Sequence, residues 1–104
     1  MSLVDKQHQF AVMLARLILH ADILNYKVSL GDVWSRPEFG VHKEGSLHFK
    51  RLAADLNLFT ADGKYLTDTS DHFRLGQYWK EIGGSWGGDF NDGNHYSLAH
   101  GGMR

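Results

Sequence analysis

The sequence predicts an α+β fold: a small antiparallel sheet flanked by a long N-terminal helix and a second helix. Three observations carry this expectation. Apolar residues near the N-terminus recur at helical spacing. Two later segments alternate apolar and polar residues with the two-residue period of a strand. A second helical stretch lies between "TS" and "GG", residue types that start and stop helices. At 104 residues the chain can bury one modest core, so a single domain over residues 1–104 is expected.

The first helix is placed at about residues 4 to 25. Phe10, Met13, Leu14, Leu17, Ile18, Ala21 and Leu24 form its apolar stripe, Lys6, Gln7, Gln9, Arg16 and Asp22 hold much of the rest, and Asn25 stops it. "YKVSLGDVWS" sets Tyr26, Val28 and Leu30 against Lys27 and Ser29, as a strand does. "RPEFGVHKEGS" contains the single proline and reads as a loop. "RLAADLNLF" is the second strand, and the Asp-Gly of "TADGKYL" turns the chain into a short third. In "TSDHFRLGQYWKEIGG", Thr69 or Ser70 is the expected cap, Phe73, Leu75, Tyr78, Trp79 and Ile82 are the contacts, and Gly83 is the end. The tail is glycine-rich, then strand-like from His95. Trp79 and Trp86 are expected in the core, and His8, His20 and His72 as ordinary helix residues.

Composition excludes several function classes. A net charge of −1 with scattered basic residues gives no electrostatic footprint for nucleic acid. The apolar run "FAVMLARLILHADIL" is broken by Arg16, His20 and Asp22, so neither a membrane span nor a signal core is expected. With no cysteine, any metal must be held by His, Asp, Glu or water.

Asp55 is the residue the strand pattern does not explain. Leu52, Ala54, Leu56 and Leu58 line one side of "RLAADLNLF", and a carboxylate sits among them on the other. His48 lies just before this strand, and His95 opens the last apolar alternation. Two histidines and one carboxylate would leave a fourth position for water, as in catalytic zinc sites. On spacing alone, in a chain with seven histidines, a strand carboxylate satisfied by local amides explains Asp55 as well. Asp92 precedes His95 by three residues, with Gly93 permitting a tight turn, so a second carboxylate can stand beside a ligand and move protons.

"SLHFKRLAADLNLF" followed by "WGGDFNDGNHYSL" resembles the zinc D-Ala-D-Ala carboxypeptidase and L-alanyl-D-glutamate endopeptidase family, above all its bacteriophage endolysin members. One signature of that family is Ser-x-His with Asp seven residues after the histidine, here Ser46, His48 and Asp55. The other is an acidic residue three before a histidine, here Asp92 and His95. The likeness runs from about Arg36 to Gly101. It implies a zinc site on the sheet, with His48, Asp55 and His95 as ligands and Asp92 as general base. It also implies that Arg36 orients substrate or polarises the scissile carbonyl and that Ser46 contacts substrate or fixes the loop of His48. The chain departs from the family in having no glutamine shortly after Arg36, where His42 is the nearest substitute, and in having Ala99 where an acidic residue is expected.

The resemblance thus implies a zinc peptidase that hydrolyses the peptidoglycan stem peptide through a metal-activated water, with the L-Ala–D-Glu bond as the expected cut. A D-Ala-D-Ala carboxypeptidase or dipeptidase is the alternative within the class, and a non-catalytic, zinc-stabilised wall-binding module the alternative outside it. Neither nucleic acid nor membrane insertion is expected, and a monomer is favoured. With no signal peptide or separate wall-binding module in view, the expected route is synthesis in a host cytoplasm and release to the wall through a holin-type lesion.

Overall fold

A computed structural model describes residues 2–33, 47 and 50–100. Helix α1 spans Leu3–Ile23. It starts at Ser2, whose hydroxyl accepts the Asp5 N–H at 3.1 Å while the Asp5 carboxylate accepts the Ser2 N–H at 3.4 Å. This reciprocal pair satisfies two donors that a helix start otherwise leaves open. The helix stops where Asn25 takes a left-handed φ of 70°, a conformation asparagine tolerates better than most residues. Phe10, Met13, Leu17 and Ala21, one side of the stripe read from the sequence, are buried.

Strand β1 (Lys27–Leu30) pairs antiparallel with β2 (Ala53–Phe59), Val28 opposite Leu58 and Ser29 opposite Asn57. The pleat sends Ala54, Leu56 and Leu58 into the core and leaves Asp55, Asn57 and Phe59 half-buried on the other face. After β2 the chain reverses through Asp62 and Gly63, the glycine at φ 95°, and Tyr65–Leu66 (β3) returns against Phe59 and Leu58.

The second helical stretch begins one residue earlier than expected, and its cap differs. Asp68 is the cap, its N–H donating to the Asp71 carboxylate at 3.0 Å, and the first turn, Thr69–His72, is a 3-10 helix. Thr69 cannot serve as the cap because its hydroxyl accepts the Gly93 N–H from across the molecule at 3.2 Å. Helix α2 follows at Phe73–Glu81 and ends at Gly83, which adopts the expected left-handed conformation. Phe73 points to solvent, and Leu75, Gly76 and Trp79 face inward. Gly76 is required there, because a Cβ would come within 2.1 Å of the Trp86 ring.

Ser85–Trp86 forms β4, a strand the sequence reading did not anticipate, and a 3-10 turn at Gly87–Phe90 leads on to β5 (His95–Ser97). The described strands make one five-stranded antiparallel sheet in the order β1-β2-β5-β4, with β3 paired to the far end of β2. Trp79 is the hub of the core. It meets Phe10 and Tyr96 edge-on at 5.8 and 5.9 Å and donates its indole N–H to the Ser97 and Ser85 carbonyls. No described helix is long and apolar enough to cross a membrane.

Candidate metal and proton-transfer site

The site is built on the pairing of β2 with β5. Their register sets Asp55 directly opposite His95, and two residues facing each other across a sheet project from the same face. The His95 Nδ1 lies 3.3 Å from Asp55 Oδ1, with side chains only 17% and 23% exposed. The backbone around Asp55 is held from both sides. Gly31 donates to its carbonyl at 2.7 Å, its own N–H donates to Asp32 at 2.8 Å, and Leu56 N–H reaches the Asn94 carbonyl at 2.9 Å. A polar residue in mid-strand is thus fixed in place by ladder bonds on either side.

The turn before His95 carries Asp92, which is exposed. Its carbonyl accepts the His95 N–H at 3.2 Å, and its N–H donates to Gly87 at 2.9 Å. Gly87 has to be glycine, since a Cβ would meet the Asp92 carbonyl oxygen at 2.2 Å and the His95 Cβ at 2.7 Å. The sharp local backbone belongs to Asn91, at φ 62°. Gly93 does not have a positive φ. What it provides is close approach, because its missing Cβ would stand 2.6 Å from Thr69 Cα.

The Thr69–His72 turn clamps this segment from outside the sheet with two bonds. Besides the Thr69–Gly93 bond, the buried Tyr96 hydroxyl pairs with His72 Nδ1 at 2.9 Å. His72 is only 3% exposed and is more than the ordinary helix residue the sequence reading made it. Burial pushes its imidazole below the usual histidine pKa, against the raising influence of Asp71 and Asp92. Burial also drives the Tyr96 phenol well above the ordinary tyrosine range, so the hydroxyl keeps its proton. A signal for His72 was present: it stands with Leu75, Gly76 and Trp79 at positions i, i+3, i+4 and i+7.

Of the residues singled out in the sequence, Asp55 and His95 are brought together, and Asp92 is tied to His95 through the backbone. Arg36, Ser46 and His48 lie outside the described residues, as does His42. Among the described residues no cluster of three or more His, Cys, Asp or Glu side chains could hold a metal. The described pair does fit half of a zinc site. A carboxylate and an imidazole are zinc donors, and two donors at about 2.0 Å in tetrahedral array stand roughly 3.3 Å apart.

The family model for D-alanyl-D-alanine carboxypeptidase matches residues 40–98. The matched span includes Ser46, His48, Asp55, Asp92 and His95 and leaves Arg36 just outside. No curated protein matches the chain. The sequence motifs, the strand register that joins Asp55 to His95 and a match over more than half the length agree: the chain belongs to the D-alanyl-D-alanine carboxypeptidase family of peptidases.

Proposed function

We propose that the protein is a zinc-dependent peptidoglycan peptidase of the endolysin type, cutting the stem peptide at the L-Ala–D-Glu bond. The observation that carries this is the Asp55–His95 pair at 3.3 Å, with Asp92 fixed three residues ahead of the histidine. His48 would complete the ligand set with Asp55 and His95. Zinc, when bound, supplies the electrophile that acidifies a water and polarises the scissile carbonyl. Asp92 takes the water's proton and returns it to the departing amine. Arg36 donates to the oxygen where negative charge develops, and Ser46 holds substrate. The protein would be made in a phage host's cytoplasm and reach the wall after membrane lesion.

The description of the matching family favours a second reading, removal of terminal D-Ala by a carboxypeptidase. Mass spectrometry of purified peptidoglycan digested with enzyme, with chelator and with zinc restored, separates the two. Fragments ending in L-Ala, paired with free amino groups on D-Glu, are expected. Loss of terminal D-Ala alone would replace this reading with the second. If neither bond yields a zinc-dependent product, the chain is a wall-binding module without catalysis.

A further inference from the structure

We infer that Thr69 is a positioning residue for the proposed base: its hydroxyl, by accepting the Gly93 N–H, fixes the backbone that presents Asp92. The inference rests on the proposed role of Asp92 and names the side chain that sets its place. Asp92 and His95 stand three residues apart, yet different parts of the fold hold them. His95 lies in the sheet opposite Asp55, on a strand paired with β2 on one side and β4 on the other. Asp92 lies ahead of that strand, and its side chain is exposed. Its position therefore comes through the backbone of the turn.

That backbone is pinned at each residue. The Asp92 N–H donates to the Gly87 carbonyl, and the Asp92 carbonyl accepts the His95 N–H. Gly93 is buried, and side chains from outside the turn satisfy both of its polar groups. Thr69 accepts its N–H at 3.2 Å, and the Trp86 indole donates to its carbonyl at 2.8 Å. Trp86 also packs on Gly76 and Phe73, so changing it would disturb far more than the turn. The Thr69 hydroxyl is the separable part. A buried N–H left without an acceptor is costly, so the turn would move to find water or another partner. Movement toward Thr69 is blocked, because a Cβ on Gly93 would already stand 2.6 Å from the Thr69 Cα. The turn can only shift away and carry Asp92 with it. A misplacement of about 1 Å can cost about 10²-fold in rate. Loss of this one bond therefore acts through Asp92 and leaves His95 in its ladder.

Thr69→Val removes the hydroxyl at nearly constant shape, and Thr69→Ser keeps it. In the metal-free full chain, amide NMR should show the Gly93 N–H exchanging at least about tenfold faster in Thr69→Val, with the β2–β5 ladder amides unchanged. Zinc affinity, measured by titration, should stay within about twofold of the parent. On soluble stem-peptide fragments kcat should fall by about 10- to 100-fold while KM stays within about twofold. Thr69→Ser should recover most of the loss. Added to Asp92→Asn, Thr69→Val should cost no more than about twofold further, because the group it positions is already gone. Thr69→Ala carries the same expectations if the valine variant fails to fold. Full kcat in Thr69→Val overturns the inference, and unchanged Gly93 exchange overturns it whether or not the wall is cut. Loss of zinc affinity beside the loss of kcat also overturns it, since Thr69 would then support the whole site. An Asp92→Asn chain as active as the parent removes the base and this inference with it. A disabled Asp92→Asn beside an unimpaired Thr69→Val removes the inference alone.

Discussion

Three side chains carry predictions at the residue scale, and each has a distinct signature. Asp92→Asn keeps the turn and loses the proposed base, so kcat should fall by about 10²–10⁴-fold at unchanged zinc content, read by steady-state kinetics beside metal analysis. His95→Ala should instead lose zinc and activity together, because it removes a proposed ligand. His72 predicts a pH effect on stability. Its folded pKa is lowered, so between that value and about 6.5 the unfolded chain binds more protons than the folded one. The stability it contributes is fully present above about pH 6.5 and is lost as pH falls through the folded value, with a slope of at most about 1.4 kcal/mol per pH unit. Urea midpoints from pH 7.5 to 5.0 should fall less steeply in His72→Gln than in the parent. An unchanged slope would show that His72 does not titrate with folding. By contrast, the exposed Lys80–Asp89 pair at 3.3 Å should contribute at most about 1 kcal/mol.

At the scale of elements, the glycines and Trp79 show how tightly the site's supports are packed. Gly87→Ala places a methyl on the Asp92 carbonyl and His95 Cβ, so the turn must open. It should lower activity more than stability, checked by comparing kcat/KM with the urea midpoint. Trp79→Ala removes the ring that joins α1, α2 and β5 and should cost about 3–5 kcal/mol in chemical denaturation. These elements were unequally legible in the sequence. Helix α1 and strand β2 could be read because their periodicity is long and uninterrupted, and Asn25 and Gly83 because a left-handed residue leaves a compositional mark. Strand β4 could not: two residues in a glycine-rich run carry no period, and their pairing with β5 comes from the tertiary fold. The cap was misplaced because Thr69, Ser70 and Asp68 are all good capping residues. What decides among them is the distant Gly93, which occupies the Thr69 hydroxyl. Asp55 and His95 were legible as candidates, but only the register showed them face to face.

For the whole molecule, the proposed zinc site would couple metal binding to folding. Asp55 and His95, the proposed ligands, join β2 to β5, so a metal that binds only the folded chain would stabilise it, by about 4 kcal/mol at a thousandfold excess over Kd. Thermal melts with zinc and with chelator should differ accordingly, and His95→Ala should abolish the difference. If chelator leaves the melt unchanged, zinc is not bound at Asp55–His95. The pairing that makes the site also spans 40 residues of sequence, from Asp55 to His95. Contacts that distant form only after most of the chain is available. A growing polypeptide still lacking β5 therefore holds the carboxylate without its imidazole partner and without the proposed base. Under the proposed function no working intermediate precedes the completed fold, and a product that stops short of His95 would have no activity.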